Sequence, residues 1–196
     1  RVSGKLRAAN WLDRQVQPLD HGKLVELGFV ESPPMRDITR EVMKPSQNLY
    51  TDLVLAHVGA VQQAKRAGSP APFMNPPQPD SRETSEDAGI RELDRFLAEA
   101  GVKPGNVFFE EGSGLSRNNI TTPNATIALL QFMSRHREAG AYLNALPVAG
   151  VDGTLRSRMR NTAAAGNVKA KTGTLRWANS LSGQVTSAAG ERLVFC

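Results

Sequence analysis

Asn167-Val168-Lys169-Ala170-Lys171-Thr172-Gly173-Thr174-Leu175 is the stretch on which the reading of this chain turns. A second run follows from Asn179 to Thr186, with Gly183 inside it, and a third from Glu191 to Cys196. Ala188-Ala189-Gly190 supplies a turn between the last two. Three short runs separated by turn signals predict a β-meander, with Lys171-Thr172-Gly173 on its first strand. The triplet suits a strand that lines a cleft. Lys171 offers a point charge and Thr172 a hydroxyl donor, while Gly173 lets another backbone lie close. A solvated strand edge would need the same three residues, so the triplet decides function only in company.

Upstream of the meander the periodicity is helical. Ala8 to Val16 has helical character, and Asp20-His21-Gly22 reads as a turn. Phe29 to Ser32 reads as a short strand stopped by Pro33-Pro34. Ile38, Val42 and Met43 share helical spacing, and Pro45 ends that helix. Ser46 is placed to cap the next, whose apolar positions are Leu49, Leu53, Val54, Val58 and Val61. Residues 68–83 read as a loop rich in Pro, Gly, Ser and Asp. Ser85 to Ala100 predicts a helix burying Ile90, Leu93, Phe96 and Leu97, with Gly101 past its end. Val107 to Phe109 predicts a strand. Thr122-Pro123 opens a helix with a cap and a proline at its first position, burying Ile127, Leu130 and Met133. A shorter helix is expected near Glu138 to Ala145, and a further turn or two from Thr154 to Met159. Helices first and a meander last predict an α+β fold, an antiparallel sheet packed with helices.

A chain of 196 residues can bury one sizeable core. Hydrophobic content of 40% with 22% charged residues marks a globular protein and excludes disorder. No apolar run reaches membrane-spanning length. The 24 basic and 19 acidic residues give a net charge of +5, but the basic residues are dispersed and lack interleaved aromatics, so no nucleic-acid partner is expected. Either an anionic polymer partner or a solvated basic surface accommodates that charge. One cysteine excludes an internal disulfide and any multi-cysteine metal site. His21, His57 and His136 show no metal-ligand spacing. The chain starts at Arg1 and ends within an apolar run, and it is expected to be part of a longer protein.

The company that the triplet needs is Ser46-Gln47-Asn48, where two helices meet. Ser-x-x-Lys, Ser-Asp-Asn and Lys-Thr-Gly elements together mark penicillin-binding proteins and class A β-lactamases. Here the second element appears in variant form, with Gln47 in the middle, and the third is intact. Ser32-Pro33-Pro34-Met35, Lys44 to Tyr50, Gly112 to Arg117, Leu146 to Leu155 and Lys169 to Leu175 follow in order. With these segments the chain resembles the D-alanyl-D-alanine carboxypeptidase/endopeptidase family, the class C low-molecular-mass penicillin-binding proteins, over residues 28–196. The resemblance implies a β-lactamase/transpeptidase-like fold, present as a partial domain over 28–196. Residues 1–27 stay unassigned, compatible with the end of an inserted domain. It also implies a serine-type hydrolase of the extracytoplasmic cell envelope, with neither a metal nor an organic cofactor. Its substrates would be peptidoglycan peptides ending in D-Ala-D-Ala, attacked through an acyl-enzyme, and β-lactams would bind it.

The same resemblance assigns roles. Ser46 would relay a proton to the leaving amine, Asn48 would orient the substrate amide, and Lys171 would raise the positive potential. Thr172 would hold the substrate carboxylate beside Gly173, and the Thr174 amide would form half of the oxyanion hole. Apart from the resemblance, Arg117 follows the Gly112 to Ser116 loop and its fork geometry suits binding a substrate carboxylate, although a structural arginine pinning its loop reads equally well. For Ser46 the rival reading is a plain helix cap. Glu111 stands where the family usually has Asp. Gly112 to Ser116 places Gly114 rather than serine at its centre, so no Gly-x-Ser-x-Gly nucleophile elbow is present. No serine of the 196 residues is followed three positions later by lysine, so the nucleophile and its base are expected elsewhere in a longer parent. A non-catalytic peptidoglycan-binding relative and a β-lactamase are the alternatives.

Overall fold

The computed structural model describes residues 7–18, 20–25, 27–68 and 83–196. The chain divides into two units, Arg1–Ser32 and Pro33–Cys196. In the first, helix α1 (Trp11–Val16) starts at a reciprocal cap: Asn10 accepts from the Asp13 amide while Asp13 accepts from the Asn10 amide. A 3-10 turn follows at His21–Lys23, where a turn is expected. Phe29 to Ser32 does not form the expected strand. Phe29 and Val30 are exposed, and no strand among the described residues pairs with them. Strand-forming residues adopt a ladder only where a partner supplies it.

The second unit opens with α2 (Met35–Met43), α3 (Asn48–Arg66) and α4 (Ser85–Glu99). Most of the expected 68–83 loop, residues 69–82, lies outside the described residues. Leu49 and Leu53 of α3 are exposed, whereas Gly59 and Ala64 are buried. Gly59 is there because α4 crosses at contact distance. A Cβ on it would stand 1.7 Å from the Ser85 carbonyl oxygen and 2.6 Å from the Gly89 nitrogen. The α4 N-terminus is fixed by a Thr84–Asp87 capping box. Its Leu97 packs with Val102 and Ala125 in one core cluster, flanked by Leu93, Val107 and Phe109. A two-stranded ladder, β1 (Val107–Phe108) with β2 (Ile120–Thr121), leads into α5 (Pro123–Met133). Thr122 caps α5 through the Ala125 amide, as its sequence predicts. Helix α6 (Ala139–Ala145) lies against α2.

The meander forms as expected. Strands β3 (Lys169–Leu175), β4 (Ala178–Thr186) and β5 (Arg192–Phe195) make an antiparallel sheet in chain order. Ala170 pairs with Gly183. Gly183 does not interrupt β4; a Cβ there would stand 2.1 Å from the Lys169 carbonyl oxygen, so only glycine fits. Ala170, Val168, Ala149 and Leu155 form the second core cluster, against which Leu181, Val185 and Phe195 pack. The loop before β3 carries the fully buried Leu146, Pro147 and Leu155. It runs beside β3 through the Val148–Lys169 bridge and the Ala170 amide bond to the Pro147 oxygen. Beyond that bridge no strand among the described residues pairs with the outer edge of β3. Successive residues of a strand direct their amides to opposite sides. Since Ala170 N–H points away from β4, the Thr172 and Thr174 amides face that outer edge. The α+β architecture, with helices against an antiparallel sheet, is the one the sequence predicts.

Candidate active site

Ser46 and Lys171 are 125 residues apart in sequence and touch in space. Lys171 Nζ donates to Ser46 Oγ at 2.8 Å and to the Thr172 carbonyl at 2.7 Å. Ser46 is not the cap of α3. That position belongs to Gln47, whose side chain makes no capping bond. Ser46 instead adopts a left-handed backbone with φ of +67°. This conformation costs a non-glycine residue about 1–2 kcal/mol. It turns the hydroxyl away from the helix amides and toward β3. The turn is closed by the Gln47 amide on the Val42 oxygen. A cap needs an extended backbone, and the steric demand of this turn overrides that local preference.

Lys171 is half-buried, and burial holds its ammonium below the usual lysine value. None of the ion pairs among the described residues includes it. Among the described residues its charge meets the Ser46 hydroxyl and Thr172 carbonyl dipoles and no carboxylate, so it is available to a developing negative charge. Thr172 Oγ1 lies 2.8 Å from Thr154 Oγ1. When Thr154 donates, the Thr172 proton is free to point at an acceptor in the cleft. Asn48 opens α3 two residues beyond Ser46 and is partly buried. The room above Gly173 is taken by the Ser180 hydroxyl, 2.4 Å from where a Cβ would lie. Thr174 is exposed.

Arg117 Nη2 donates to the Arg176 carbonyl at 2.8 Å, tying its loop to the β3–β4 hairpin. The loop is organised by Glu111, whose carboxylate accepts from the Ser113, Gly114 and Ser116 amides and from Asn119. Burial works to raise this carboxyl, but the bonds from Ser113, Ser116 and Gly114 outweigh it and hold the acid below the ordinary glutamate value. No group of three metal-ligating side chains occurs among the described residues. Three residues that sequence reasoning passed over also belong here. Lys44 donates to Asp152 at 2.6 Å, and Thr154 supports Thr172. Their signal was adjacency: Lys44 precedes Pro45-Ser46, and Asp152-Gly153-Thr154 forms a turn triplet.

The D-Ala-D-Ala carboxypeptidase 3 (S13) family profile matches residues 77–196, more than half of the chain. The chain belongs to this family. Over 84% of its length it is 31% identical to D-alanyl-D-alanine carboxypeptidase DacB of Haemophilus influenzae, of which it covers 31%. Over 93% it is 32% identical to the D-alanyl-D-alanine carboxypeptidase of an Actinomadura species, of which it covers 30%. The chain thus spans about a third of these relatives. Among solved structures it superimposes on penicillin binding protein 4 from H. influenzae in complex with a β-lactam. The TM-score is 0.66 at 29% identity, covering 84% of this chain and 34% of that one. The S13 fold is therefore the β-lactamase/transpeptidase-like one expected from the motifs, present as a partial domain. In this S13 chain Ser46 meets the β3 edge at Lys171, Asn48 opens α3 two residues further on, and Arg117 stands at the hairpin end of β3.

Proposed function

We propose that this chain supplies one wall of the active site of a serine-type D-Ala-D-Ala carboxypeptidase, or of an endopeptidase of the same chemistry. The whole enzyme would bind β-lactams and act on peptidoglycan peptides outside the cytoplasm. The observation that carries this reading is the Lys171–Ser46 hydrogen bond. It joins the second and third motif elements into one proton-handling pair. Family membership supports the substrate class, and the β-lactam complex of the H. influenzae relative supports the inhibitor class.

In this reading a serine and lysine outside the chain begin the acylation. The substrate lies along the outer edge of β3. The Thr174 amide donates to the carbonyl oxygen as it becomes an oxyanion. Thr172 donates to the terminal carboxylate, and Arg117 adds positive potential from the hairpin end. Ser46 passes a proton to the departing D-alanine amine, replenished through Lys171. Asn48 orients the substrate amide. Residues 28–196 then form part of a transpeptidase-like domain, and 1–27 the end of another segment.

The test uses the full-length parent. D-Alanine release from a D-Ala-D-Ala pentapeptide and covalent labelling by fluorescent penicillin are measured for wild type, Ser46→Ala and Asn48→Ala. The expected result is wild-type turnover with both variants slowed at least about a hundredfold. A folded parent that neither releases D-alanine nor accepts the label refutes the assignment.

A further inference from the structure

We propose that the Lys44–Asp152 ion pair is a positioning clasp that holds the Ser46 turn in register with β3. The inference rests on the active-site reading above for its catalytic consequence, but its geometry stands alone. Ser46 keeps a left-handed backbone that nothing in its own helix requires. The restraint comes from the loop at 146–154. Lys44 Nζ donates to Asp152 Oδ2 at 2.6 Å and to the Leu146 oxygen at 2.8 Å. The Lys44 carbonyl accepts the Thr154 amide at 3.1 Å. Asp152 in turn accepts the Val148 amide through its other oxygen at 2.8 Å.

The two backbones are in contact at this point. Gly153 has φ of +57°, and a Cβ on it would stand 2.6 Å from the Lys44 oxygen and 3.0 Å from Pro147. The loop cannot shift inward, because Leu146 and Pro147 are fully buried. One residue further on, Thr154 meets the Thr172 hydroxyl. Two residues beyond Lys44, Ser46 meets Lys171. The clasp thus sits between two contacts that reach the same strand. Lys44 is 19% exposed and Asp152 40%, too sheltered for a fully screened surface pair. The bond lengths are those of charge-assisted hydrogen bonds. Both partners act through Ser46 and Thr172 and touch no substrate themselves.

Two measurements test the clasp. In the full-length parent, the titration midpoint of the Lys171 ε-carbon is followed by NMR for wild type, Asp152→Asn and Lys44→Met. Asp152→Asn keeps the shape and an acceptor for Val148, and it removes the charge and the acceptor that faces Lys44. The expected result is a midpoint that moves up toward the ordinary lysine value as the Ser46 turn relaxes and Lys171 gains water. A purely structural pair would lower the melting temperature and leave the midpoint unchanged, and that result overturns the proposal.

In the full-length parent, the acylation rate is measured for both single variants and the double. Each single is expected to lose about a hundredfold, the scale of a small misplacement at a reacting group. The double should lose no more than the worse single, since the pair acts as one unit. Penalties that multiply overturn the clasp. A wild-type parent that cannot be acylated counts against the proposed activity instead, and the clasp then stands or falls on the titration alone.

Discussion

Lys171→Ala in the full-length enzyme separates chemistry from stability. The wild-type ammonium spends one donor on Ser46 and one on the Thr172 carbonyl, leaving a third for the cleft. Removing one such preorganised group from a site of developing charge costs about 10²–10³ in rate, or about 2.7–4 kcal/mol of barrier. Acylation by fluorescent penicillin should slow by that factor. Lys171→Arg should also be impaired, because a planar fork cannot replace a compact ammonium in the space between Ser46 and the strand. Stability should move little, by less than about 1 kcal/mol, because the lysine is half-buried and has no carboxylate partner among the described residues. The pH dependence has a definite sign. Burial lowers the folded-state value below 10.5, so between the two values the unfolded chain holds more protons. Wild type should therefore gain stability relative to Lys171→Met as pH rises through that window, and the difference should be flat below it. Denaturant titrations from neutral pH to about 11 read this directly. Acylation of Lys171→Ala at the wild-type rate, with unchanged melting, would show that Lys171 is a solvated strand residue and that the cleft has been misassigned.

Ser46→Gly should be more stable than Ser46→Ala by about 1 kcal/mol, since glycine adopts the left-handed turn without strain, while both lose acylation rate equally; thermal melts alongside labelling would detect any other order. Gly59→Ala should destabilise by about 3 kcal/mol or more, because the added methyl meets the Ser85 carbonyl rather than a movable side chain. Retained stability in urea would mean that α3 and α4 separate freely. The 196-residue chain alone should take up no covalent penicillin, lacking a Ser-x-x-Lys element. Labelling that survives denaturation would identify a nucleophile within it, with Ser113 and Ser46 the first to examine.

Elements with local signatures were legible in the sequence. The Thr122-Pro123 start of α5, the Pro45 stop after α2 and the turn before β5 each follow from one residue's backbone chemistry. The last turn of the meander was legible because Ala188-Ala189-Gly190 separates β4 from β5, whereas Arg176-Trp177 between β3 and β4 carries no such signal. Phe29 to Ser32 was misread because strand propensity says nothing about whether a partner exists. The exposed faces of Leu49 and Leu53 were equally hidden, since periodicity marks a face as apolar but not as covered. Of the site, the motif residues Ser46 and Lys171 could be named, but not the bond between them. Ser46 looked like a cap because its left-handed backbone is imposed from outside by the contact of Lys44 with Gly153. For Arg117 the sequence offered a loop pin and a ligand fork, and the bond it makes in the structure ties its loop to the hairpin. Its target, the Arg176 carbonyl, is a backbone atom that carries no sequence signal.

The separation between Ser46 and Lys171 also has a kinetic consequence. Closing 125 residues carries an entropy of order (3/2)RT ln n, about 4 kcal/mol, before the contact returns anything. Helices α3 to α5 can form from local interactions, but β3 meets Ser46 only once the intervening chain has packed. The cleft should therefore be among the last features to appear during refolding, later than most of the helical signal. A molecule caught halfway would be rich in helix yet unable to recognise a ligand. Ligand recognition would then report completed folding, and a ligand that binds across Ser46 and Lys171 would stabilise only molecules that have finished the search.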